Sequence, residues 1–236
     1  MNAQPTVEVC LSPQLLHLYP LQNRVVVIVD VLRATSTIIT ALAHEVASII
    51  PVAKLEQCEA YKRLGFITAA ERDGKKADGF DLGNSPFSYM AEELKGKTIV
   101  FTTTNGTEAI SKSSSASLIL IGGFLNITAL SKFLIEKNQD TLLLCAAWKG
   151  KPNIEDTLFS GALLHKLLPH FSSSTDDNLL ALSLYQQSML NKWELIQKSS
   201  HVKRLQGLGI ERDIEFCLAE DLYPVVPYFN GEALVI

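Results

Sequence analysis

The sequence predicts an α/β fold: a three-layer α/β/α sandwich around a mostly parallel, mixed sheet. Three observations carry that expectation. Residues 25–31 read VVVIVDV, a continuous β-branched run of the kind that forms a strand buried on both faces. Strand-like runs then alternate with helical segments along most of the chain, the order that builds a parallel sheet covered by helices. Near the end, apolar runs at 225–229 and 233–236 flank Asn230-Gly231, a hairpin turn pair that adds antiparallel strands.

In order, the run at 25–31 is followed by a helix at 34–44. A strand at 47–52 leads to a helix at 55–64, ended by Gly65. Short strands follow at 66–70 and 98–102, then a helix at 106–112, a strand at 118–121 and a helix at 127–137. A strand at 141–145 precedes a long helix at 154–168. Residues 176–198 read as one helix, and 202–217 as one or two short ones. The polar stretch 171–178, FSSSTDDN, reads as a surface loop, because apolar helical segments lie on both sides of it. The whole chain, 1–236, is therefore expected to be one domain.

Composition narrows the function. The chain is 47% hydrophobic and 19% charged, a globular balance with enough apolar residues for a sizeable core. Its net charge of −4, with Lys and Arg scattered, argues against a nucleic-acid partner. The pairs Lys75-Lys76 and Lys203-Arg204 read as solvated surface. Cys10, Cys58, Cys145 and Cys217 form no CxxC pair and read as buried free thiols. No apolar run approaches the length of a membrane span, and residues 1–5 lack the pattern of a signal peptide. The expectation is a cytoplasmic protein with no membrane partner. Oligomeric state is left open, a homo-oligomer included.

Four polar segments sit at or near strand ends, where open α/β sheets bind ligands. In the first, Asp30 ends an apolar strand and is followed by Arg33, Thr35 and Ser36. An acid there is costly unless paired or bound to a metal, while a helix start suits an anion. A structural reading is equally available: Asp30 pairs with Arg33, and Thr35 caps the helix. The second segment holds Glu71-Arg72 and then Asp81, Asn84 and Ser85 within GFDLGNSP. Ser85 before Pro86 reads as an N-cap. The third is Thr102-Thr103-Thr104-Asn105-Gly106-Thr107, a cradle for phosphate or sulfonate, or simply a capped turn. The fourth runs from Cys145 through Trp148, Lys149 and Lys151 to Glu155 and Asp156. Acids in a first helical turn stabilise the dipole, or one of them faces a cleft and holds a cation. Converging on one crevice, the four segments would equip metal-assisted phosphoryl transfer.

The runs VDVLRATST at 29–37, GFDLGNSP at 79–86, TTTNGT at 102–107 and Ile154-Glu155-Asp156 resemble, in that order, the 2-phosphosulfolactate phosphatase (ComB) family. The tail from Ser200-His201 through Leu205, Gly209, Asp213-Ile214, Cys217 and Val226-Pro227 is similar too. The resemblance implies a compact α/β/α domain and a Mg²⁺-dependent phosphatase that converts 2-phosphosulfolactate to sulfolactate, a step towards coenzyme M. A phosphatase of another phosphorylated three-carbon hydroxy acid, or a non-catalytic binder of small anions, are the alternatives. On this reading Asp30, Arg33 and Asp156 are catalytic. The metal ligands come from Asp30, Asp81, Glu155 and Asp156. Substrate contacts come from Arg33, Thr35, Ser36, Arg72, Asn84, Ser85, Thr103, Thr104, Asn105, Gly106 and Lys149, with Lys149 and Arg72 available for the substrate's distal acid. One departure stands out: the family's Cys-Ala-Gly is Cys145-Ala146-Ala147 here, followed by Trp148, and alanine adopts positive φ less readily than glycine.

Overall fold

The computed structural model describes residues 4–236, so the start of the chain, on which the absence of a signal peptide was read, lies partly outside the described residues. Ten strands form one sheet. In chain order the elements are β1 (Val7–Cys10), β2 (Val25–Val29), α1 (Ala34–Ala43), β3 (Ser48–Pro51), α2 (Leu55–Arg63), β4 (Ile67–Arg72) and β5 (Lys75–Lys76). Then come β6 (Thr98–Thr102), α3 (Gly106–Lys112), β7 (Leu118–Gly122), α4 (Ile127–Lys137), β8 (Thr141–Cys145) and α5 (Ile154–Leu167). The chain closes with α6 (Asp176–Ser188), α7 (Lys192–Gln197), α8 (Ser200–Gln206), α9 (Glu211–Cys217), β9 (Tyr228–Phe229) and β10 (Leu234–Val235).

The strand order is β1-β8-β2-β7-β9-β10-β3-β6-β4-β5. Two parallel blocks stand out: β1, β8, β2 and β7, then β3, β6 and β4. The C-terminal hairpin joins them, with β9 antiparallel to β7 and β10 antiparallel to β3. The predicted antiparallel strands are therefore present, but they lie in the middle of the sheet. Three elements depart from expectation, one being the short edge strand β5 at the Lys75-Lys76 pair. The N-terminal strand β1, paired with β8, was not anticipated. The helix expected at 176–198 is split, because Asn191 accepts a hydrogen bond from Glu194 N at 3.0 Å and caps a new helix.

The run of β-branched residues in β2 explains the layering. Successive strand side chains point to opposite faces. Val25, Val27 and Val29 join a core with residues of α4 to α9, whereas Val26 and Ile28 join a second core with residues of α1 and α3. All five valine and isoleucine side chains are fully buried, each worth about 1.5–3 kcal/mol of burial. The four cysteines are buried and free. Among the described residues no helix is long and apolar enough to cross a membrane.

Candidate active site

Loops leaving the carboxyl ends of β2, β4, β6 and β8 meet at one cleft, with α8 as a further wall. The cleft is narrow and is lined by residues from all four sequence segments: Asp30 and Arg33, Glu71 and Asn84, Asn105, and Ala147 with Trp148. His201 and Arg204 of α8 complete it.

Asp30 lies at the floor. Its backbone N–H is donated to Thr35 Oγ1 at 3.3 Å, and its Oδ1 accepts from Ala34 N at 3.4 Å. Burial, with Glu71 and Glu155 nearby, pushes its carboxyl up to about 7, against a lowering by His201. A β-carbon on Gly106 would lie 2.9 Å from Asp30 Oδ2 and 2.8 Å from Ala34 Cβ. Glycine is therefore what lets the start of α3 approach this carboxylate.

Asp156 and Glu155 are fully buried behind the cleft and do not line it. Asp156 accepts from Val31 N at 2.9 Å and from Ala147 N at 3.3 Å, so it pins together the loops after β2 and β8. Burial, followed by repulsion from Asp30 and Glu155, pushes its carboxyl well above the ordinary range. Glu155 Oε1 meets His201 Nδ1, and Oε2 accepts from Ser199 Oγ at 3.1 Å. Both first-turn acids thus hold protein groups, and α5 is capped separately by Asn153 Oδ1 at 3.2 Å from Asp156 N.

The expected Asp30–Arg33 pair does not form. Arg33 instead pairs with Asp213 of α9 and donates to Gly74 O at 2.7 Å. Ser85, expected as a helix cap, makes no cap bond and donates from Oγ to Asp213 Oδ1 at 3.0 Å. Thr35 and Ser36 are buried against backbone, Ser36 Oγ donating to Val31 O at 2.9 Å. Thr103 exchanges bonds with Thr107, and Thr104 N donates to Glu71 Oε2 at 3.4 Å.

Three expected residues are placed elsewhere. Asp81 has a half-exposed carboxylate, 3.0 Å from Lys62 Nζ and 2.9 Å from Thr68 N, and does not border the cleft. Arg72 donates to Thr102 Oγ1 at 3.1 Å and likewise stays outside. Lys149 is exposed and paired with Asp73 at 3.3 Å.

Trp148 forms a tight turn with Lys151, their N–H groups donating to each other's carbonyls at 2.8 and 2.9 Å. Its two central residues, Lys149 (φ 48°) and Gly150 (φ 79°), both carry positive φ. The turn presents the indole to α8. His201 stacks on it at 5.3 Å between ring centroids, and the Arg204 guanidinium carbon lies 3.9 Å from the ring. Sequence reading took Arg204 for solvated surface and gave His201 no role. A helical i, i+3 pair facing one way was the signal available.

The donor set suits a hard divalent cation. Asp30 and Glu71 are carboxylates on one cleft, and Asn84 Oδ1 is buried there with no hydrogen-bond partner. Among the described residues no three His, Cys, Asp or Glu side chains form a ready cage. Mg²⁺ is usually held by one or two carboxylates, with water and substrate oxygens completing the shell.

The family model described as 2-phosphosulpholactate phosphatase matches residues 10–232. A protein of Thermotoga petrophila named "Probable 2-phosphosulfolactate phosphatase" is 44% identical over 209 residues, covering 88% of this chain and 90% of its own. Proteins of the same name from Caldanaerobacter subterraneus subsp. tengcongensis and Clostridium tetani are 39% and 36% identical, covering 88% and 89% of this chain and 88% and 92% of their own. With both its family motifs and nearly its whole length matched, the chain belongs to the 2-phosphosulpholactate phosphatase family, a family of phosphoric monoester hydrolases.

Proposed function

We propose that this chain hydrolyses the phosphate monoester of a small acidic metabolite in a Mg²⁺-dependent reaction, with 2-phosphosulfolactate as substrate and sulfolactate and phosphate as products. A place in coenzyme M synthesis, in the cytoplasm, belongs to the same reading. The observation that carries it is the meeting of Asp30, Glu71 and the unpartnered Asn84 Oδ1 with two guanidinium groups in one cleft. A binder of anions alone has little use for two carboxylates there.

Asp30, Glu71 and Asn84 would hold the cation, which when bound neutralises phosphoryl oxygens and the charge that develops in phosphoryl transfer. The chain's own groups do the rest. Arg33, fixed by Asp213, presents its remaining N–H donors at the cleft from a rigid position. Asn105 lines the same cleft and brings a side-chain amide to it. Glu155 engages Nδ1 of His201, which leaves Nε2 for the substrate. Leu32 and Leu205 close the walls against water.

The test is phosphate release from 2-phosphosulfolactate with Mg²⁺, and again after a chelator. Release that stops with the chelator supports the proposal. Binding of 2-phosphosulfolactate without release, at saturating Mg²⁺, would replace the phosphatase with an anion-binding protein.

A further inference from the structure

Of the two guanidinium groups in the cleft, only one is matched by a carboxylate. Arg33 is neutralised by Asp213. Arg204 forms no ion pair among the described residues: its Nη1 donates to Asp73 O at 3.0 Å, and its Nε is buried with no hydrogen-bond partner. A half-buried cation with an unused donor is costly to keep, and burial does lower its pKa, against the attraction of Glu71, Asp73 and Glu155. The guanidinium carbon lies over the Trp148 ring, 3.9 Å from its centroid, so the indole braces and shields it.

The rival cations are spoken for. Lys149 reaches Asp73 in solvent, and Arg72 lies outside the cleft. A phosphate ester of a hydroxy acid carries a second acidic group two or three bonds from its ester oxygen. With the phosphoryl end at Asp30, that group needs an unpaired cation elsewhere on the cleft lining.

We infer that Arg204, braced on Trp148, is the specificity residue that receives the substrate's second acidic group, carboxylate or sulfonate. This rests on the phosphatase reading above, and it moves the distal anion site from Lys149 and Arg72 to α8. Lysine cannot replace Arg204, because it lacks the fork and the flat face.

The experiment compares wild type, Arg204→Gln and Arg204→Lys on 2-phosphosulfolactate and on p-nitrophenyl phosphate, which has no second acid. Both variants should lose about 10- to 100-fold in kcat/KM on 2-phosphosulfolactate, the range of a hydrogen bond to a charged group. Hydrolysis of p-nitrophenyl phosphate should fall far less than hydrolysis of 2-phosphosulfolactate, and an unchanged urea midpoint reports that the variants fold. Equal losses on both substrates would overturn the assignment, as would full activity of Arg204→Lys on 2-phosphosulfolactate. If wild type hydrolyses neither, the phosphatase reading fails on its own. Calorimetric binding of sulfolactate then decides Arg204: a Kd weakened by the same factor in Arg204→Gln upholds it, and an unchanged Kd overturns it.

Discussion

His201 is held through Nδ1 by Oε1 of Glu155, which joins the first turn of α8 to the first turn of α5. Glu155 is wholly buried, and its other oxygen accepts from Ser199, the residue that caps α8. Its carboxylate therefore orients a side chain of the cleft without facing it. Glu155→Ala should leave buried donors unpaired and cost about 2–4 kcal/mol, read as a lower urea midpoint. Glu155→Gln should keep most of the stability and leave Mg²⁺ affinity unchanged. A large fall in Mg²⁺ affinity in Glu155→Gln would restore Glu155 as a ligand.

Gly106 tests the close approach of α3 to Asp30. An added methyl group would sit 2.9 Å from a carboxylate oxygen and 2.8 Å from Ala34 Cβ, both held by buried backbone. Gly106→Ala should therefore cost about 1–3 kcal/mol by overpacking. It should also reduce phosphate release far more than a distant substitution of equal cost, such as Val27→Ala in the core. Equal activity loss at equal stability loss would make Gly106 a packing residue only.

Much of this was legible locally. The strands at 98–102 and 141–145 and the helices at 106–112 and 127–137 match the structure end to end, because each is a single apolar run between clear stops. β1 was hidden: it is four residues long, carries Glu8, and gains its strand character only by pairing with β8, more than a hundred residues away. The cleft splits the same way. Asp30 and Asn105 follow strands directly, so their positions can be read from the chain. Arg33 finds Asp213 at a separation of 180 residues, and Arg204 finds Trp148 through packing of α8. Neither relationship leaves a local pattern, and a lysine-arginine pair on a short helix looks like any solvated face.

Ala147 carries φ 59°, the left-handed conformation that glycine adopts at less cost. Its N–H reaches Asp156 Oδ2, which holds the loop in shape. Ala147→Gly should raise stability by about 0.5–1 kcal/mol, part of the gain being offset by the greater freedom of glycine in the unfolded chain. Ala147→Val should lower it by more than that. A thermal melt decides the sign, and a destabilised Ala147→Gly would mean that the Cβ contact outweighs the backbone strain.

The acid at the floor sets the pH dependence. Asp30 is raised from 3.8 to about 7, with burial the largest cause. Its folded-state pKa lies above its unfolded value, so between those two pH values the folded protein binds more protons than the unfolded chain. Stability of the metal-free protein should therefore fall as pH rises through that window, by a few kcal/mol in all. A cation bound at Asp30 removes the penalty, so stabilisation by Mg²⁺ should grow from pH 5 to pH 8. Asp30→Asn carries no such charge. It should abolish phosphate release, reduce the pH slope and make the metal-free protein more stable than wild type at pH 8. Urea midpoints at the two pH values, with and without Mg²⁺, check each part. A slope that survives unreduced in Asp30→Asn would assign the proton to Asp156, whose carboxyl burial also raises.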